Sequence, residues 1–143
     1  MISHTCKTAI KAVIYLATQI GNEKKSSIKD IAKNIGANGH TVGKTLQTLV
    51  KQGIIKSAKG PLGGFYITRE QQYYPLIRIV ESVEGKQLFT GCGLGLSLCS
   101  EQRPCPIHDP YEKARKVITN IFTRSKISDL AHPVDNGLAY LSG

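Results

Sequence analysis

Residues 27–53 read SIKDIAKNIGANGHTVGKTLQTLVKQG and predict two helices separated by a tight turn. Ser27 can cap the first helix with Asp30 three positions later, which is the pattern of a capping box, and Gly36 can end it. Asn38 can cap the second helix, whose apolar side chains recur at helical spacing and leave a polar outer face. A short helix, a small turn and a longer helix are typical of the motif that places a recognition helix in the major groove of DNA.

The segments on either side of this pair complete the predicted fold. Amphipathic spacing predicts a helix over about residues 3–20. After the pair, residues 54–58 and 65–69 change to the period of strands, and the turn 59–64, rich in Gly and Pro, predicts a β-hairpin. The predicted fold class is mainly α with a small β-hairpin, namely a winged helix-turn-helix DNA-binding domain over residues 1–72.

The second half of the chain is predicted as a linker helix, a loop and a long helix within residues 73–128. The loop covers about 88–108. Asp109 followed by a proline is a strong helix-start signal, which predicts a helix over about 110–126 with Asp109 as its N-cap. The apolar stripe of this helix is larger than the core of a small winged domain should need, so we expect a partner surface. Residues 129–143 are predicted to be a flexible tail.

The charge of the chain is distributed unevenly. The net charge is +9, and residues 1–70 hold eleven Lys and Arg against three acidic residues. Residues 71–143 hold eight basic against seven acidic residues. A basic half joined to a near-neutral half predicts a polyanion-binding module coupled to a sensing or structural module. The alternative is that the lysines only make the surface soluble.

The sequence also bears on the compartment. No apolar run approaches the roughly 20 residues that span a bilayer, and the N terminus lacks the pattern of a signal peptide. We therefore expect a cytoplasmic protein without a membrane partner. In that reducing compartment the four cysteines are not expected to form structural disulfides.

Three cysteines and one histidine define a candidate metal or cluster site. Cys92, Cys99 and Cys105 are followed closely by His108, and the segment 91–99, which contains the first two cysteines, is apolar and rich in glycine. Such a loop could wrap a centre closely and keep the sulfurs largely out of water, where thiolates need a compensating cation. Three thiolates and an imidazole suit an iron–sulfur cluster and also a tetrahedral zinc site. A third possibility is a thiol switch without a cluster.

The candidate DNA contacts divide into two groups. Side chains near the start of the predicted recognition helix could reach base edges, and they are His40, Thr41, Lys44 and Thr45. Cations of the hairpin would meet phosphates or the minor groove, and they are Lys56, Lys59 and Arg69.

Enzyme activity is not predicted. Cys105 and His108 could serve as nucleophile and base, but nothing in the sequence supplies an orienting group or a substrate pocket. No small-molecule substrate is therefore expected. Cys6 falls on the first helix and is predicted to be a core residue and not a ligand.

Several segments together carry a family resemblance. In chain order they are Ile28-Lys29-Asp30-Ile31-Ala32, Lys51-Gln52-Gly53-Ile54-Ile55, Lys59-Gly60-Pro61-Leu62-Gly63-Gly64-Phe65, Ile79-Val80-Glu81-Ser82-Val83-Glu84-Gly85 and the three cysteines. Over about residues 3–122 the chain resembles the IscR/NsrR type of bacterial transcriptional regulators, the Rrf2 family. The resemblance implies a homodimeric DNA-binding repressor or activator that dimerises through its long C-terminal helix.

The resemblance also implies a cofactor, a 2Fe–2S cluster that three cysteines and a fourth ligand hold and that tunes binding to a double-stranded DNA operator. Thr8 stands where some nitric-oxide-sensing members carry an aspartate ligand, which favours His108 as the fourth ligand. The signal would be iron–sulfur status, redox stress or nitric oxide. The alternatives are a regulator stabilised by zinc or switched by thiols, and a zinc-stabilised module that binds RNA or an acidic protein.

Overall fold

The computed structural model describes residues 2–143, which form helices around one small antiparallel sheet. In chain order the elements are α1 (His4–Thr18), α2 (Ile28–Ile35), α3 (Gly39–Lys51), β1 (Lys56–Ala58), β2 (Gly64–Tyr66), a 3₁₀ turn (Gln71–Tyr73), α4 (Ile77–Glu84), α5 (Gln87–Thr90), α6 (His108–Arg124) and α7 (Ile127–Asp135). The predicted fold class, a winged helix-turn-helix with a long C-terminal helix, is confirmed.

The caps of the helix pair form as their sequence predicts. The Ser27 hydroxyl accepts a hydrogen bond from the Asp30 backbone N–H at 3.1 Å, and the Asp30 carboxylate accepts one from the Ser27 N–H at 3.5 Å. Gly36 follows α2 in the left-handed conformation, with φ of 62°. The Asn38 side chain accepts hydrogen bonds from the first N–H groups of α3. These local contacts fix where α2 begins and ends and where α3 begins.

Replacing Ser27 with alanine tests the value of the first cap. We expect Ser27→Ala to lower the free energy of unfolding by about 1 kcal/mol, because the N–H of Asp30 loses its acceptor. Urea denaturation followed by circular dichroism measures the change. Ser57→Ala is the matched control, since Ser57 is exposed on β1, and we expect it to change the free energy much less. Equal losses in the two variants would contradict a capping role.

The core is built around α1, which packs against α2, α3, α4 and α7. The largest fully buried side chains come from all of these helices and from the start of the wing, and they include Leu16, Ile31, Leu46, Leu49, Ile54, Ile79 and Ile127. Cys6 is completely buried in this core, as predicted. Burial, with a smaller contribution from Glu84, raises the pKa of the Cys6 thiol to about 12. Cys6 is therefore an inert packing residue at neutral pH.

The long helix begins about two residues earlier than predicted, at His108. The His108 N–H bonds to the carbonyl of Cys105 and the Tyr111 N–H bonds to the carbonyl of Ile107. The first turn is thus already closed ahead of Asp109, which lies inside α6 and makes no N-cap bond. The prediction of Asp109 as N-cap is wrong, although a carboxylate in the first turn still favours the helix dipole.

The prediction of a flexible tail over residues 129–143 is also wrong. Residues Ile127–Asp135 form α7, in which Ile127 is fully buried and Ala131 is 6% exposed against α1. Pro133 lies in the last turn of α7, where it removes one backbone hydrogen bond, to the carbonyl of Asp129, and the helix ends two residues later. Beyond α7, Leu141 packs against the core.

Candidate metal centre and DNA-binding surface

Three thiols lie together in the loop between α5 and α6. The sulfur atoms of Cys92, Cys99 and Cys105 all lie within 4.8 Å of one another. Cys92 Sγ lies 3.6 Å from Cys105 Sγ, and none of the three is in a disulfide. Because soft thiolates at this spacing are ligands for zinc and for iron–sulfur clusters, the three cysteines could bind a metal.

His108 stands beside one of these thiols. Its Nδ1 lies 3.1 Å from Cys99 Sγ, but the mutually close group contains only the three sulfurs among the described residues. Its Nε2 is buried without a hydrogen-bond partner and lies 3.9 Å from a carboxylate oxygen of Glu112. The three sulfurs therefore form one close group, and His108 lies beside one of its members, Cys99.

The thiols differ in acidity. The backbone N–H groups of Leu96 and Leu94 lower the pKa of Cys92 to about 7. The backbone N–H of Cys105 acts in the same direction on Cys99, but burial and the two neighbouring thiols outweigh it and raise the pKa of Cys99. Cys92 is therefore partly ionised near neutral pH, and it is the better prepared of these two thiols to bind a metal as thiolate.

The loop covers the sulfurs less completely than its sequence predicts. Cys105 is buried, whereas Cys92 and Cys99 are only half-buried. Leu94 and Leu98 are 54% and 66% exposed, so the apolar side chains do not enclose the thiols. The prediction of a dry site holds for one sulfur of the three. The leucines of the loop, Leu94, Leu96 and Leu98, are all exposed and so do not cover the other two sulfurs.

The start of α3 presents part of the predicted recognition surface. His40 and Lys44 are exposed and Thr41 is half-buried, so these side chains are accessible from the outer face of the helix. Thr45 is only 3% exposed, and its hydroxyl donates to the carbonyl of Thr41 at 2.8 Å. The prediction of Thr45 as a base contact is wrong. One position beyond Lys44 turns a side chain by about 100°, from the outer face toward the core.

The wing carries the predicted hairpin cations on its surface. Lys56, Lys59 and Arg69 are all exposed. The strands of the wing are anchored to the segment before α2, because Ser26 and Phe65 exchange two backbone hydrogen bonds of 3.0 and 2.8 Å. This anchor fixes the position of the wing cations relative to the helix pair.

A further cation lies at the base of the wing. The Lys25 ammonium lies 4.5 Å from the centre of the Tyr66 ring, which places positive charge beside the hairpin. Sequence analysis did not select Lys25 as a DNA contact. The adjacent residues Lys24 and Lys25 could have indicated a DNA contact. The contact between Lys25 and Tyr66 could not be predicted, because the two residues lie far apart in the chain.

The apolar stripe of α6 divides between two faces. Phe122 is buried against Phe89, with the ring centres 5.6 Å apart. Val117 and Ile121 are 62% and 52% exposed. The inner part of the stripe belongs to the core, and the outer part is an apolar surface that residues 2–143 leave exposed.

Comparison with known proteins assigns the chain to a family. The model of the Rrf2 family, described as an iron-dependent transcriptional regulator, matches residues 2–133. The chain belongs to the Rrf2 family. The relatives of this Rrf2 protein are transcriptional regulators and not enzymes. Rrf2 regulators bind DNA, and in residues 2–143 of this member no helix is long and apolar enough to cross a membrane.

Individual relatives agree with this assignment. A candidate HTH-type transcriptional regulator of Aquifex aeolicus is 29% identical over 132 residues, which cover 91% of this chain and 90% of the relative. The structure of IscR from T. potens has a TM-score of 0.74 at 22% identity, covering 97% of this chain and 91% of that one. The structure of CymR, the global cysteine regulator of B. subtilis, has a TM-score of 0.73 at 21% identity, covering 92% and 96%. The two structures share the fold of this Rrf2 protein.

Proposed function

We propose that this protein acts as a homodimer that binds a double-stranded DNA operator, with an affinity that a 2Fe–2S cluster modulates. Cys92, Cys99, Cys105 and His108 would hold the cluster. The observation that carries the proposal is the group of three mutually close sulfurs with His108 beside one of them. When bound, the cluster supplies a centre of variable redox state.

The donor set fits such a group. Two thiolates on one tetrahedral metal with bonds of about 2.3 Å lie about 3.8 Å apart, and Cys92 and Cys105 have their sulfurs at 3.6 Å. Cys99 supplies a third sulfur, and His108 supplies a nitrogen beside it. Three sulfurs and one nitrogen also suit a single zinc ion, so iron, sulfide and zinc analysis distinguishes the two centres. The unpartnered Nε2 of His108 also remains available as a donor.

The DNA-binding surface follows from the fold. His40 and Lys44 on α3 would contact base edges in the major groove, while the wing cations Lys56 and Lys59 would contact the backbone or the minor groove. In a dimer the two recognition helices would lie about 34 Å apart, one turn of DNA, on a roughly palindromic operator.

The helix α6 connects the two sites. His108 lies in its first turn, directly beside Cys99. At its other end, Leu76 N–H bonds to the carbonyl of Ser125 at 2.9 Å and Ile127 N–H bonds to the carbonyl of Tyr74 at 3.1 Å. These bonds tie the end of α6 to the segment before α4, and α4 packs against α1 and α3 of the winged domain. A change at the cysteine loop would therefore move the helix that sets the spacing of two winged domains in a dimer.

A thiol switch is the second candidate, because Cys92 and Cys105 are close enough to react with each other. With a peroxide as oxidant, the Cys92 thiolate would attack one oxygen, forming a sulfenic acid and releasing hydroxide. The Cys105 thiol would then attack that sulfur, forming the disulfide and releasing water. This reaction needs the thiols without a metal.

The test compares anaerobically purified wild type with Cys92→Ala, using an operator selected from random duplexes. We expect iron and acid-labile sulfide with visible absorption in the wild type, and an operator affinity that changes about 5- to 150-fold on loss of the cluster. Cys92→Ala should lose both the absorption and the change. Cys6→Ala is the matched control, because it removes a thiol that is not a predicted ligand.

Three other results would each favour one of the alternative functions. Colourless protein with stoichiometric zinc would indicate a structural zinc site. Metal-free protein with a Cys92–Cys105 disulfide would indicate the thiol switch. Protein without any preference for duplex DNA would overturn the regulatory proposal and favour the interaction module.

A further inference from the structure

Two side chains of α6 hold the chain on both sides of Cys92. The Arg115 guanidinium donates a hydrogen bond of 2.6 Å to the carbonyl of Gly91, the residue before Cys92. The Tyr111 ring lies against Gly93, the residue after it, so closely that a methyl group on Gly93 would come within 2.7 Å of the ring. The backbone at Cys92 is therefore attached to α6 through both of its neighbours.

The two side chains also support each other. Tyr111 and Arg115 are one helical turn apart, and the Arg115 guanidinium carbon lies 6.0 Å from the centre of the Tyr111 ring. Both side chains are half-buried, so water screens their contacts only in part. A hydrogen bond from a charged donor belongs to the stronger class, and a planar guanidinium can bond a carbonyl and stack on a ring at once.

This contact surface lies opposite the apolar surface of α6. Successive residues of a helix turn by about 100°, so His108, Tyr111 and Arg115 share one face. Val117 and Ile121 lie roughly 180–220° from His108 by the same rotation, and both are more than half exposed. A displacement of the loop would thus move a helix whose other face is free to pack against a partner.

We propose that Arg115, together with Tyr111, is a positioning residue that fixes Cys92 for metal binding and transmits the state of the loop to α6. The inference rests on the proposed function of the same cysteines. Arg115 itself is not a ligand, because its guanidinium has no acceptor atom for a metal. Its positive charge beside Cys92 would favour the more negative, reduced form of a bound cluster.

The first experiment uses the metal-free protein, so it does not depend on a cluster. Hydrogen exchange of the backbone amides of residues 91–96 is compared in wild type, Arg115→Gln, Arg115→Lys and the control Arg124→Gln. Arg124 is exposed in the last turn of α6. We expect exchange about tenfold faster in Arg115→Gln, because the loop opens more often when its charged donor is lost. Arg115→Lys should rescue part of the protection, and Arg124→Gln should match wild type.

The second experiment uses protein reconstituted with ferrous iron and sulfide. We expect Arg115→Gln to lower the reduction potential and to reduce the ratio of operator affinities with and without the cluster, while Arg124→Gln leaves both unchanged. Exchange in Arg115→Gln equal to wild type would overturn the inference, as would an unchanged potential and affinity ratio. If wild type takes up no iron and sulfide, the proposed function fails, and the exchange experiment alone then decides whether Arg115 fixes the loop.

Discussion

Operator affinity should fall by about 10³-fold when the salt concentration rises from 50 to 200 mM. Three exposed wing cations, Lys56, Lys59 and Arg69, are placed to meet phosphates, which gives six such contacts in a dimer. Each neutralised phosphate releases condensed counterions, and about six of them give the lower end of the range seen for DNA-binding proteins. Fluorescence anisotropy with a labelled duplex, repeated at several salt concentrations, measures the slope of log affinity against log salt.

Matched lysine substitutions assign that slope to the wing. We expect Lys59→Ala to make the slope shallower by about 1 for each protomer bound, with a similar loss of affinity on all sequences. Lys116→Ala is the control, since Lys116 is exposed on α6 and pairs with Glu112 at 3.3 Å. It should leave the slope unchanged. An affinity that is flat across this salt range would contradict phosphate-driven binding by the winged domain.

The helix pair was predictable because its determinants are local. Ser27, Asp30 and Asn38 form hydrogen bonds with groups at most three residues away. Their spacing in the sequence is therefore enough to predict the helix caps. The left-handed Gly36 likewise needs no information from distant residues. The cysteines were predictable as a group for a different reason, since their proximity in the chain and shared chemistry limit the possible roles.

The features that sequence analysis missed depend on contacts between distant segments. Thr45 falls on the polar side of a simple helical count, and only the packing of α3 against the rest of the core shows it to be buried. The Arg115 hydrogen bond spans 24 positions to Gly91. No local pattern predicts such a contact, because an arginine in the sequence of an amphipathic helix is typical of an ordinary surface residue.

The helix α7 was not predicted because residues that are typical of loops occur beside an apolar pattern only one turn long. Pro133, Asn136 and Gly137 are typical of loops, whereas Ile127, Leu130 and Ala131 repeat at helical spacing over a single turn. A helix with so short an apolar pattern is stable only where its apolar side chains can pack against another part of the protein. The surface of α1 provides that site, and its side chains lie more than a hundred residues earlier in the chain.

Replacing Ile127, which anchors α7 in the core, should lower the free energy of unfolding more than the other substitutions proposed above. Ile127 is completely buried, and its N–H makes one of the two backbone bonds that join the end of α6 to the segment before α4. We expect Ile127→Ala to lower the free energy of unfolding by about 2–5 kcal/mol, because it loses buried apolar surface and leaves a cavity that α7 can fill only in part. Urea denaturation at equilibrium, followed by circular dichroism, measures the loss.

The matched control lies in the same C-terminal segment. Leu138 is 79% exposed, so Leu138→Ala should change the free energy by no more than about 0.5 kcal/mol. A loss below about 0.5 kcal/mol for Ile127→Ala as well would show that α7 is not part of the cooperative core. Because α7 follows α6 directly and packs on α1, a loosened α7 should also weaken the influence of the cysteine loop on operator binding. Ile127→Ala is therefore expected to narrow the ratio of operator affinities with and without the cluster, even under conditions in which the variant remains folded.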